Sequence, residues 1–219
     1  MCQCDREPLI WSIDDDEGFR QSLRFLFASV GHEVRLWDSG QAFLEALPDL
    51  LPLPPAVLVM DIRMPGMSGL ELLRHLRARS FVLPILIVTG HGDVQMAVEA
   101  LKAGADDFIE KPFKEQHLLD VTERALRLAP ARLDVLAGQQ RLEARLARLS
   151  GREREVLEGI LEGKPNKVMA SDMDLSIKTI EVHRAAVMSK MAASSVAGLA
   201  HAMASRHRPH PYGCFSAAE

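Results

Sequence analysis

The chain has little cysteine: three in 219 residues, Cys2, Cys4 and Cys214, all near its ends. An odd number so placed cannot form a disulfide framework, so a core must hold the fold, and a reducing cytoplasm is the expected setting. The one-residue spacing of Cys2 and Cys4 is not that of common zinc sites, and with His210 these residues read as frayed termini. Long apolar runs are also missing. None approaches the ~20 residues of a membrane span, and Asp5, Arg6 and Glu7 ahead of a short apolar pair do not make a signal peptide. No membrane partner is expected.

What the chain does have is charge, unevenly spread. Up to Ala125, 12 Lys and Arg face 20 Asp and Glu (net −8); after it, 14 face 10 (net +4). An acidic front suits a cation site and a basic back suits a polyanion, and the length accommodates two small domains.

From Leu9 to about Ala125, short apolar runs alternate with helical patterns. The candidate strands are LIWSID, EVRLWD, AVLVMD, PILIVTG and DFIEK, and helical spacing that ends at Gly31 and Gly104 supplies stop signals between them. Strict alternation predicts an α/β fold: a doubly wound parallel sheet of (βα)5 type with right-handed crossovers. After Lys114 the pattern stays helical, with Pro130 and Gly138 interrupting a leucine-bearing stretch that runs to Leu149. This reads as a helical linker, kinked or broken at Pro130, whose Leu133, Leu136, Leu142, Leu146 and Leu149 pack a partner helix or the chain's own domains. From Ser150 to about Ser205 four short helices are predicted, opened by a capping box at Ser150 and Glu153 and by starts at Asn166 and Ser176. The expected division is therefore 1–125, a linker over 126–149, an all-α part over 150–205 and a disordered tail over 206–219.

The run Ala56-Val57-Leu58-Val59-Met60 is apolar enough to be buried on both faces, yet it ends on Asp61. In open α/β sheets, ligands bind outside the carboxyl ends of the strands. With a flavodoxin-like strand order, Asp14, Asp15 and Asp16 (strand one), Asp61 (three), Thr89 (four) and Lys111 (five) converge. Carboxylates so gathered repel without a cation, and such a cluster suits octahedral Mg²⁺. The hydroxyl and the ammonium complete a set able to stabilise a phosphoryl group, with Asp61 as the nucleophile that forms an acyl phosphate.

These stretches, DDDE, MDIRMPGMSGLELL, TGHGD and DFIEKPF, resemble the receiver domain of two-component response regulators. The resemblance implies a sensor histidine kinase as phosphoryl donor to Asp61. It implies Mg²⁺ or Mn²⁺ at Asp15 and Asp61, with a contribution from Asp14 and the backbone carbonyl of Arg63. Thr89 and Lys111 match the phosphoryl-binding hydroxyl and amine, Phe108 the aromatic switch that follows Thr89, and Lys111-Pro112 a cis peptide. Arg63 and His91, two residues beyond Asp61 and Thr89, are expected to flank the path of the hydrolytic water.

In the basic part, REREVL, PNKVMA, KTIEVHR and SKM resemble the LuxR-type helix-turn-helix output domain. Receiver plus this output is the arrangement of FixJ-type regulators in the wider NarL group. Asp174 stands where many relatives carry Gly or Asn, which implies a left-handed residue. With Ser176 as N-cap, Ile180, His183, Val187 and Met191 share one helix face, and Lys178, Glu181, Val182, Ala185 and Ser189 share the opposite, small and polar one. A helix entering a major groove needs such a face. Asn166, Lys167, Thr179 and Arg184 join it as candidate contacts to double-stranded DNA.

The sequence therefore reads as a cytoplasmic, DNA-binding response regulator and transcriptional activator, not an enzyme with an external substrate. It is expected to dimerise on phosphorylation and to work with RNA polymerase. A phosphatase resembling haloacid-dehalogenase enzymes needs a second acid two residues after Asp61, where Arg63 stands. A constitutive DNA binder with a vestigial receiver would not need the intact pocket set.

Overall fold

The computed structural model describes residues 8–90 and 94–206. Cys2, Cys4, Cys214, His210, His91 and the tail beyond 206 lie outside these. The chain divides into two compact units after Asp134.

In the first unit five strands, β1 (Leu9–Ile13), β2 (Glu33–Trp37), β3 (Ala56–Met60), β4 (Ile85–Thr89) and β5 (Asp107–Glu110), form one parallel sheet in the order β2-β1-β3-β4-β5. Four helices return the chain between them: α1 (Glu17–Ser29), α2 (Gly40–Ala46, extended by a 3-10 turn over Leu47–Leu50), α3 (Gly69–Ala78) and α4 (Val94–Lys102). β1, β3 and β4 are buried along their whole length, whereas the edge strands β2 and β5 carry Glu33, Arg35, Asp107 and Glu110. One face of the sheet packs Trp11, Phe43, Leu58, Leu73 and Ile85; the other packs Ile10, Phe27, Val57, Leu118 and Val121. Each such side chain removed from water contributes about 1.5–3 kcal/mol.

α5 (Glu115–Ala147) departs from expectation, because it runs unbroken through Pro130 and Gly138. A proline inside a helix costs about 3 kcal/mol. Here Pro130 is exposed, while its neighbours Ala129 (fully buried) and Leu133 pack on the first core. Arg132 also pairs with Asp106, which accepts from Arg77 as well (3.1 Å). Tertiary contacts on both sides of the proline outweigh the missing hydrogen bond. Of the two packings open to the leucines of the linker, the chain's own units take them: Leu133 packs on the first core, and Leu142, Leu146 and Leu149 join the core of the second.

That second unit holds the end of α5 and four helices, α6 (Gly151–Leu161), α7 (Asn166–Asp172), α8 (Ile177–Lys190) and α9 (Val196–Arg206). Its small core is Val156, Leu157, Ile160, Met169, Ile180, Val187 and Leu199. The Ser150–Glu153 capping box is formed, and Ser176 caps α8 by accepting from the Thr179 N–H (3.1 Å). Between α7 and α8 the chain reverses at Asp174, with φ +53°. There the Leu175 N–H reaches the Ala170 carbonyl (2.9 Å) and the Asp174 N–H the Ser171 carbonyl (3.4 Å), the paired bonds of a Schellman stop.

Candidate functional site

The sheet ladder continues one residue beyond its strands. Asp14 donates its N–H to Trp37 O (3.2 Å), Asp61 to Ile13 O (2.9 Å) and Lys111 to Thr89 O (2.8 Å). Parallel pairing therefore fixes Asp14, Asp61, Thr89 and Lys111 at the same carboxyl edge. Asp14 and Thr89 are almost wholly buried, and Asp61 is 9% exposed.

The side chains of Asp14, Asp15 and Asp61 bring one carboxylate oxygen each to within 4.8 Å of one another. Lys111 Nζ lies 2.7 Å from Asp14 Oδ2 and 4.0 Å from Asp61 Oδ2. Asp14 Oδ1 accepts from the Asp16 N–H (2.9 Å), and Asp61 Oδ1 from the Ile62 N–H (2.7 Å). Burial pushes the Asp14 carboxyl above its ordinary value, helped by the nearby Asp61 charge, against the hydrogen bonds from Lys111 and Asp16 that pull it down. The cluster is thus short of positive charge, and three hard oxygen donors around such a deficit can hold a divalent cation.

Asp16 stands apart from this cluster: it caps α1, its Oδ1 accepting from the Phe19 N–H (3.1 Å). Arg63 is exposed in the loop after β3. Phe108 is half-buried on β5, opposite Ile87 of β4, against the first core. The Lys111–Pro112 peptide is cis.

Three contributors escaped the reading of the sequence. Gly69 is one: a Cβ there would stand 2.0 Å from the Asp61 carbonyl oxygen, so only glycine lets α3 start against the nucleophile's own backbone. The Ser68-Gly69 pair was its faint signal. Arg20 donates from Nη1 to the Asp14 carbonyl (2.5 Å), and Phe19 places its ring centroid 3.4 Å from Lys111 Nζ.

In the second unit, Lys167, Lys178, Glu181, Val182, Ala185 and Ser189 are exposed, while Ile180, Val187 and Met191 are buried on the opposite face of α8. His183 is half-buried. Three candidates are partly engaged elsewhere. Arg184 Nη1 donates to Asn166 Oδ1 (3.4 Å), tying α8 to the start of α7, and Thr179 Oγ1 lies 2.8 Å from Ser176 Oγ. At the other end of α8, Lys190 Nζ bonds both oxygens of Glu153 (2.7 and 2.6 Å). Among the described residues no helix is long and apolar enough to cross a membrane.

Comparison with known proteins accords with both halves. Residues 10–123 match the response regulator receiver domain, and residues 147–203 match the bacterial regulatory proteins of the luxR family. The chain is 50% identical over 190 residues to the transcriptional regulatory protein FixJ of Bradyrhizobium diazoefficiens, covering 87% of this chain and 91% of that protein. It is 43% identical over 190 residues to the C4-dicarboxylate transport transcriptional regulatory protein DctR of Rhodobacter capsulatus, covering 86% and 95%. Among solved structures, the response regulator StyR aligns with a TM-score of 0.70 at 40% identity, covering 91% of this chain and 99% of that one. Full-length FixJ from B. japonicum aligns at 0.54 and 47% identity, covering 92% and 97%.

Proposed function

Since the chain belongs to the response regulators that join a receiver to a LuxR-type DNA-binding domain, phosphorylation-activated transcription regulators of two-component systems, we propose that Asp61 is its phospho-acceptor. The observation that carries this is the gathering of the Asp14, Asp15 and Asp61 carboxylates beside the Lys111 ammonium. A sensor histidine kinase supplies the group. An Asp61 carboxylate oxygen bonds to phosphorus as the P–N bond of the kinase phosphohistidine breaks, and the leaving imidazole nitrogen keeps the electron pair and takes a proton.

Asp14, Asp15, Asp61 and the Arg63 carbonyl would hold Mg²⁺ or Mn²⁺, whose charge would offset that of the phosphoryl oxygens. Lys111 turns from Asp14 toward the new phosphoryl oxygens, and the Thr89 hydroxyl donates to them. Phe108 follows Thr89, which biases a two-state equilibrium of the receiver toward a dimer. The chain's only catalysis is this chemistry on itself.

Residues 1–125 form the receiver, 126–149 the connecting stretch and 150–205 the DNA-binding part, with α8 in the major groove. Asn166, Lys167, Lys178 and Arg184 approach phosphates, and Thr179, Glu181, Val182, Ala185 and Ser189 lie toward the bases. Two such helices on a dimer read paired half-sites, and in the cytoplasm the bound dimer recruits RNA polymerase as an activator. Incubation with Mg²⁺ and phosphoramidate followed by intact-mass measurement tests the reading. One phosphoryl group labile to base is expected on the native chain and none on Asp61→Asn; equal labelling of both would refute it.

A further inference from the structure

We propose that Phe19 is a positioning residue for Lys111: its ring face holds the ammonium at the pocket between Asp14 and Asp61, ready to meet a phosphoryl group on Asp61. The inference rests on Asp61 being the acceptor.

Lys111 ends in a point charge on a flexible four-carbon stem, and its side chain is 22% exposed. Asp14 alone would draw Nζ inward, where the 2.7 Å bond already lies, and water would draw it outward. To serve Asp61, 4.0 Å away, the ammonium must stay near both carboxylates and keep donors to spare. An aromatic face does this where a third carboxylate would not. The ring attracts the cation without neutralising it, claims no directed hydrogen bond, and bars water from that side. A contact of this kind is present, the Phe19 ring centroid lying 3.4 Å from Lys111 Nζ.

The ring is itself held from two directions. Its backbone N–H is bound by Asp16, the cap of α1, so it moves with the segment that carries Asp14 and Asp15. It meets Phe113, two residues beyond Lys111, in a T-shaped contact (6.2 Å, 83°). Phe19 thereby couples the loop of the acids to the loop of the amine, and the distance between them is set before any phosphoryl group arrives.

The test replaces Phe19 in the full chain with mono-, di- and trifluorinated phenylalanine, which weakens the negative ring face at nearly constant size. The rate of phosphoryl uptake from phosphoramidate at fixed Mg²⁺ is followed by intact mass. In this step an Asp61 oxygen bonds to phosphorus, the P–N bond breaks, and ammonia leaves with the electron pair and a proton. The rate should fall stepwise with fluorine count, by about three- to tenfold at the trifluoro ring. Phe19→Tyr should stay near the native rate and Phe19→Leu should match the trifluoro chain. In a Lys111→Met background the fluorine series should have no further effect, a coupling that mere packing would not show. A rate flat across the series, with Asp61 still labelled, would overturn the role of Phe19. Labelling undiminished in Asp61→Asn would instead overturn the acceptor reading, and this inference with it.

Discussion

Asp14 of the receiver and Glu153 of the DNA-binding unit are both carboxylates less than a tenth exposed, each bonded to one lysine. Their acidities nevertheless move in opposite directions. Burial dominates at Asp14 and pushes its carboxyl up. At Glu153 the Lys190 ammonium bonds both oxygens and the Ser150 N–H adds a third bond (2.7 Å), which lowers the carboxyl to about 2. Asp14 shares Lys111 with Asp61 and lies among further acids, whereas among the described residues no other carboxylate shares Lys190 with Glu153 at the start of α6, where the helix dipole also favours negative charge. The first site is electrostatically open, as the proposed uptake of a cation and a phosphoryl group would require. The second is closed and serves the fold.

Asp106 extends the comparison, because it is a receiver carboxylate of the closed kind, between Arg77 and Arg132. Asp106→Ala would leave two little-exposed guanidinium groups without their carboxylate, and a loss of about 3 to 5 kcal/mol in urea unfolding of the receiver is expected. A loss below 1 kcal/mol would place this pair with weak surface bridges. Next in size is the response of the open site: at a hundredfold excess over its dissociation constant, Mg²⁺ should stabilise the receiver by about 2.7 kcal/mol. Asp14→Asn should lose most of that gain, and an undiminished gain would move the cation elsewhere.

On the exposed face of α8, Glu181→Ala should lose about 1 to 3 kcal/mol of discrimination at one base pair, since a groove carboxylate is repelled unless a cytosine amino group meets it. Lys167→Ala should weaken all sequences alike and flatten the salt slope by about one unit. Binding to a mutated operator series separates the two, and the reverse assignment would mean that α8 faces the other way. The smallest effect is the pH response of Glu153. Its folded value of about 2 lies below the ordinary 4.5, so its contribution is complete above about 4.5 and is lost as pH falls toward 2. Thermal melts of Glu153→Gln should lack that part of the acid dependence; an unchanged profile would remove Glu153 from it.

The strand-end residues were legible because a parallel sheet brings every carboxyl end to one edge, so Asp14, Asp61, Thr89 and Lys111 could be named without coordinates. The inner face of α8 was legible from its period: Ile180, Val187 and Met191 are buried. Gly69 was not, since what forbids its side chain is the Asp61 carbonyl, brought there only by the fold. Helix stops at Gly31 and Gly104 carry their signal, but Ser80 (φ +58°) and Ala192 (φ +51°) turn left-handed without one, held by hydrogen bonds back into α3 and α8. Pro130 misled for the opposite reason, because a strong local signal yielded to the packing of Ala129 and Leu133 and to the Arg132–Asp106 pair.

On the proposed reading, charge taken up at the open site of the receiver changes what the DNA-binding unit does. Fluorescence anisotropy of the full chain on a DNA fragment selected for binding, at fixed ionic strength with Mg²⁺, tests it directly. Phosphoramidate should raise the affinity of the native chain at least about tenfold, as expected when one half-site contact becomes two, and leave Asp61→Asn unchanged. Equal affinity of the native chain with and without the phosphodonor, with Asp61 shown to be labelled, would contradict it.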